Sequence, residues 1–180
     1  MYDPVAIARR IQEIGFRCTG CGRCCAQIER DSNLVIAGAD EIRDIIAGTS
    51  LDWQDIAEPY PEIIDDGANH IFTIGWCIRR YKNECKFLKS FRCEIYPYRP
   101  WICRTYPFSL AENDIQVSQC PGIGSEIAWE DACDLAKMLI QRWSAESLEE
   151  KRIRTILQKN QLPEGFFVII DSEGIKKWRL

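Results

Sequence analysis

Histidine is almost absent from this chain: His70 is the only one in 180 residues. Histidine-based zinc hydrolase motifs and histidine-assisted catalytic triads therefore have little support, because both need imidazole at fixed places. His70 itself reads as a polar strand-end residue. Long apolar runs are missing as well. The longest, Phe166 to Ile170, is far short of the roughly 20 residues of a membrane span. Met1 to Gly15 has no apolar h-region and no small-residue cleavage site, so no secretory signal is read and a cytoplasmic, non-membrane protein is expected. A large excess of one charge sign is also lacking. The net charge is -4 with 28% charged residues, which indicates neither intrinsic disorder nor a uniformly basic nucleic-acid surface. Low-complexity tracts, flexible linkers and evident internal repeats are not seen, so residues 1–180 are expected to form one domain.

Several enzyme fingerprints fail on single residues. Cys21-x3-Cys25 begins like a radical-SAM motif, but Ile28 stands where the third cysteine should be. Gly122-x-Gly124 is followed by Ile127 instead of glycine, and no strand-loop-helix context surrounds it. No thioredoxin-like βαβ pattern accompanies the paired thiols.

Cysteine is what the chain has in abundance, with ten residues. In a reducing compartment, clustered thiols bind metal or do redox work more often than they form structural bridges. Cys18-x2-Cys21-x2-Cys24 places three sulfurs on one tight loop, with Gly20 and Gly22 letting the backbone turn. This is the local arrangement by which thiolates take three corners of a cubane iron-sulfur cluster. Cys25 is an awkward fourth ligand, because adjacent side chains diverge, and it suits a second site better. Cys85, Cys93, Cys103 and Cys120 supply further thiols, and eight in all allow two tetrathiolate sites. Cys120-Pro121 also matches the remote Cys-Pro ligand of bacterial ferredoxins. Zinc ribbons use two separate C-x2-C knuckles, and the later gaps here form no second one. Iron-sulfur chemistry, with 4Fe-4S the cluster expected, therefore fits better than zinc, which stays as the alternative.

The pattern Cys18-x2-Cys21-x2-Cys24-Cys25, Cys85-Lys86-Phe87-Leu88, Cys93-Glu94-Ile95-Tyr96, Arg99-Pro100, Cys103-Arg104 and Tyr106-Pro107-Phe108 resembles the YkgJ-like cysteine-cluster family. Its members are described as zinc- or iron-chelating, or as iron-sulfur-containing. The resemblance runs from Cys18 to Cys120 and implies eight cofactor- and metal-binding cysteines: Cys18, Cys21, Cys24, Cys25, Cys85, Cys93, Cys103 and Cys120. Cys77 and Cys133 fall outside it. Cys133 sits on the apolar face of an expected helix, where a free cysteine is a small hydrophobe.

The fold expected around this centre is α+β. Asp3-Pro4 and Gly15 bound a short amphipathic helix. A strand is expected near Leu34 to Ile36, then helices over Ala39 to Ala47 and, capped by Ser50, over Leu51 to Ala57. A strand runs from His70 to Trp76, and Cys93 to Pro107 should be mostly irregular. Two late helices are expected, Glu126 to Trp143 and, after a Ser147-Leu148-Glu149-Glu150 capping box, a second to about Asn160. Phe166 to Asp171 and Ile175 to Leu180 close the chain as a hairpin. Short helices thus flank an irregular cysteine-rich centre, with the family-like core at 18–120 and helices and hairpin at 125–180.

Charge is segregated. Glu29 to His70 holds eleven acidic and two basic residues, whereas Arg79 to Arg104 holds eight basic and two acidic. The basic stretch, with its aromatic neighbours, could bind single-stranded nucleic acid. An internal role is favoured, with Arg99 and Arg104 neutralising thiolates, because no nucleic-acid motif accompanies the charge. Three functions follow as expectations. The first is an iron-sulfur protein for electron transfer, sensing or enzyme accessory work, with an unnamed protein or redox partner. The second is a zinc-stabilised interaction module. The third is a protein-lysine N-methylase-like enzyme or part of one, since flagellin lysine N-methylases carry a similar cysteine cluster.

Overall fold

The computed structural model describes residues 2–26, 33–111 and 114–178. Helix α1 (Pro4–Ile14) begins as its sequence predicts: the Asp3 carboxylate accepts the Val5 N–H at 2.9 Å, and Pro4 fills the first turn, where a missing N–H is harmless. It stops at Gly15, whose φ of 72° suits glycine, and a Cβ there would lie 2.5 Å from the Ser125 carbonyl oxygen.

Strand β1 (Ile36–Ala37) is shorter and later than expected. Helix α2 (Ala39–Thr49) runs through Gly48, because the Tyr98 ring packs flush on it, and ends at Ser50 in the left-handed region. Ser50 therefore closes α2 rather than opening the next helix. That helix, α3 (Trp53–Ile56), is only one turn, and Ala57, expected to be helical, enters β2 (Ala57–Pro59). The residue before a proline avoids helical dihedrals, and Glu58 precedes Pro59.

Strand β3 (Ile64–Asp65) pairs with β4 (Ile71–Ile74). The strand expected over His70 to Trp76 is broken at Gly75, φ 82°, and continues as β5 (Trp76–Ile78). The break sends β4 and β5 into different sheets. One sheet is antiparallel in the order β1-β5-β2. Two small hairpins follow, β6 (Arg80–Tyr81) with β7 (Glu84–Cys85) and β8 (Leu88–Lys89) with β9 (Arg92–Cys93). The stretch expected to be irregular contains a 3-10 turn (Tyr96–Tyr98) and α4 (Trp101–Thr105). Glu41 in α2 makes α4 possible by accepting the Trp101 N–H at 2.5 Å, capping α4 from a distant element. A further hairpin, β10 (Phe108–Ala111) and β11 (Asp114–Val117), leads to the last helix.

Helix α5 (Trp129–Lys159) is one continuous helix of 31 residues, not two. No glycine or proline lies between Trp129 and Lys159, so nothing in the backbone interrupts it, and Ser147 is an ordinary mid-helix residue instead of a cap. Its first half buries Ala132, Leu135, Ala136 and Leu139 against Ile7 and Ile11 of α1. Burying one such Leu or Ile fully contributes about 1.5–3 kcal/mol. Its second half lays Ile153, Ile156 and Leu157 on a second sheet, ordered β13-β12-β4-β3. Strands β12 (Phe167–Asp171) and β13 (Gly174–Lys177) are the expected hairpin, and β12 pairs in parallel with β4. Buried Asp171 joins the two sheets: it accepts the Trp76 Nε1–H at 2.6 Å and also receives Lys176.

Candidate metal centre

The loop after α1 carries Cys18, Cys21, Cys24 and Cys25. Gly20 and Gly22 both take positive φ there, and Cys25 and Ala26 donate their N–H groups back to the Gly22 carbonyl at 3.0 and 3.1 Å. Cys85 closes β7, Cys93 closes β9, Cys103 lies in α4 and Cys120 follows β11. These separate pieces of chain meet around one cavity of about 460 Å³, and all eight cysteines line its wall. The two expected bystanders do not. Cys77 is buried in β5 with its sulfur 3.7 Å from the Glu58 and Pro59 carbonyls, and Cys133 packs beside the α1–α5 core. His70 is remote, hydrogen-bonded to Asp66 at 2.8 Å.

A feature that sequence reasoning missed organises the middle of the site. Residues 79–86 and 87–94 form successive copies of one hairpin. Each has two central residues at positive φ, Lys82-Asn83 and Ser90-Phe91, the dihedral pattern of a type I′ turn. In each, the residue after the cysteine donates to the carbonyl of the first: Lys86 N–H to Arg79 and Glu94 N–H to Phe87, both at 2.9 Å. An internal repeat is therefore present. The sequence does not mark it, because Asn-Gly or Asp-Gly, the usual signal of such a turn, is replaced by Lys-Asn and Ser-Phe.

The repeat also places an amide on each sulfur. The Phe87 N–H favours the Cys85 thiolate and the Ile95 N–H that of Cys93. Outside the repeat, the Arg23 N–H favours the Cys21 thiolate, and Cys120 accepts from the Gly122 N–H at 3.4 Å. Four cysteines thus share one device, a backbone N–H two residues on that favours the thiolate form a metal ligand needs. At Cys21 that donor is the main reason the thiol is held below its ordinary value. Cys85 is also lowered, first by its hydrogen bond with Cys25.

Crowding and burial act the other way. Cys24 is raised by its contact with the Cys25 sulfur, 3.8 Å away, and by burial. At Cys25 the Cys24 thiol pulls down, but Cys85 and burial outweigh it and push the group up to about 12. Burial raises Cys93, Cys103 and Cys120. So many thiols cannot all ionise in one place without cations among them. Arg99 is one such cation from the protein itself. It lies beside Cys24, Cys93 and Cys103 and favours their thiolates, and it stacks 3.5 Å over the Tyr96 ring. Arg104 also lines the cavity, yet its guanidinium is directed to the Arg99 carbonyl and the Trp101 ring. Other cations of the basic stretch meet the acidic one: Lys86 reaches Asp55, and Arg79 stands 3.9 Å from Glu58.

Soft thiolates suit zinc and iron-sulfur clusters and suit hard cations poorly. Among the described residues no three His, Cys, Asp or Glu side chains converge tightly enough to hold a single metal ion as they stand, so the sulfurs ring a volume instead of a point. Among those residues, too, no helix is long and apolar enough to cross a membrane.

A cavity walled by cysteines, with amides directed at the sulfurs, defines a metal-chelating cysteine-cluster domain. The chain belongs to the CxxCxxCC family, whose model, described as a putative zinc- or iron-chelating domain, matches residues 17–121. No solved structure matches the chain.

Proposed function

We propose that the cavity holds iron-sulfur, with 4Fe-4S as the cluster type, and that the protein serves electron transfer, sensing or an accessory role to an enzyme in the cytoplasm. The observation that carries this reading is the size of the thiol-lined space. A structural zinc sits at about 2.3 Å from four sulfurs in a closed tetrahedron, whereas the eight thiols here lie along the wall of one open cavity of about 460 Å³. A cluster bound there would supply one-electron chemistry. The chain's own part is to orient sulfur with the amides of Arg23, Phe87, Ile95 and Gly122, and to offset negative charge with Arg99. Phe91 and Tyr96 line the same cavity and are 72% and 57% exposed, which suits docking of a redox partner at its mouth.

Zinc is the second reading. The tandem hairpin supports it, since each copy delivers one sulfur already hydrogen-bonded by its own turn, as a structural tetrathiolate needs. Anaerobic purification separates the two. A brown protein with equal iron and acid-labile sulfide is expected; colourless protein containing zinc alone would overturn the iron-sulfur reading.

A further inference from the structure

The backbone around the CxxCxxCC loop holds its two ends differently. At the Cys18 end the chain is zipped to the segment carrying Cys120. Phe16 forms a bridge with Ile123, the Arg17 N–H donates to the Gly122 carbonyl at 3.0 Å, and the Gly124 N–H donates to Gly15 at 3.0 Å. At the Cys25 end the chain is zipped to β7 instead. Ala26 bridges Glu84, and the Cys85 N–H donates to the Cys25 carbonyl at 2.8 Å. The buried Asn33 side chain clamps this second joint by donating to the Cys25 carbonyl at 3.1 Å and the Asn83 carbonyl at 2.7 Å.

Resting on the reading of the cavity as a metal centre, we infer that it holds two separate tetrathiolate centres, one on Cys18, Cys21, Cys24 and Cys120 and the other on Cys25, Cys85, Cys93 and Cys103. The first set is the loop's leading arm with the segment zipped to it. The second is the loop's trailing arm, the two hairpin cysteines and the α4 cysteine packed behind them. Cys24 lies between the sets, with its sulfur 3.8 Å from that of Cys25. Arithmetic places it, because the second set has four sulfurs without it and the first has only three, while a tetrathiolate centre takes four. Cys24 and Cys25 are adjacent in sequence, so the two centres meet at that peptide.

The test is metal content in cysteine-to-serine variants of the full chain, with folding checked by far-ultraviolet helicity. C21S and C93S should each keep about half of the wild-type metal. The double variant C21S/C120S, confined to one set, should also keep about half, and C21S/C93S should keep almost none. Folded single variants that lose all their metal would overturn the two-centre division and leave the metal reading intact. Wild-type protein that binds neither iron nor zinc would instead overturn the metal reading itself. A measurement on unsubstituted protein covers the case in which the variants do not fold. Titration of the metal-stripped wild type with cobalt(II) should saturate its thiolate charge-transfer bands at two equivalents per chain, and saturation at one would overturn the division.

Discussion

At the scale of single residues, the consequential position beyond the cysteines is Gly122. A Cβ there would lie 2.1 Å from the Arg17 carbonyl oxygen, a backbone atom that cannot swing aside, and the same residue's N–H donates to the Cys120 sulfur. G122A should therefore push the Cys120 segment off the leading arm of the cysteine loop. Overpacking of this kind costs about 1–3 kcal/mol, so a lower denaturation midpoint is expected together with loss of about half the bound metal. Unchanged stability and metal content would show that the strap does not hold the site. That the eight cysteines gather at one place was legible in the sequence, because their spacing is that of clustered ligands. Gly122 was not, because nothing local marks a glycine needed by the close approach of a residue far away in the chain. The amides of Phe87 and Ile95 were equally invisible, since a backbone N–H has no letter in the sequence.

At the scale of elements, the best-read pieces carry their own punctuation: α1 with Asp3, Pro4 and Gly15, and the β12–β13 hairpin with its Ser-Glu-Gly turn. The misread ones were decided at a distance. Helix α4 depends on a cap from Glu41, Ala57 follows its pairing with Ile78, and α5 stays whole because two different cores take its two halves. One link between elements titrates. Arg43 on α2 grips Glu173 in the β12–β13 turn at 2.8 and 2.9 Å, and its hydrogen bonds hold that carboxyl at about 2 against an ordinary 4.5. A carboxyl lowered in the folded state stabilises the fold above its unfolded value, and that stabilisation is lost as pH falls from about 4.5 toward 2. Arg43 is 60% exposed, so solvent screening keeps the effect small. In chemical denaturation, wild type should exceed E173Q in stability at pH 6, and the gap should close as the pH approaches 2. A gap independent of pH would contradict the assignment.

At the scale of the whole molecule, the acidic and basic halves of the sequence turn toward each other, with Asp55 and Glu58 of one meeting Lys86 and Arg79 of the other. The α1–α5 packing and the two sheets form an apolar frame. Around the cavity, strands of two residues and single-turn helices stand where larger elements would otherwise be. Such short pieces bury little apolar surface, so a metal that ties them together would contribute folding free energy directly. The measurement that tests this most directly is cysteine alkylation read by mass spectrometry, on anaerobically purified protein before and after metal removal. Cys18, Cys21, Cys24, Cys25, Cys85, Cys93, Cys103 and Cys120 should be protected with metal present and become reactive when it is stripped, while the reactivity of Cys133 stays the same. Equal labelling of those eight in both states would contradict a metal-holding cavity.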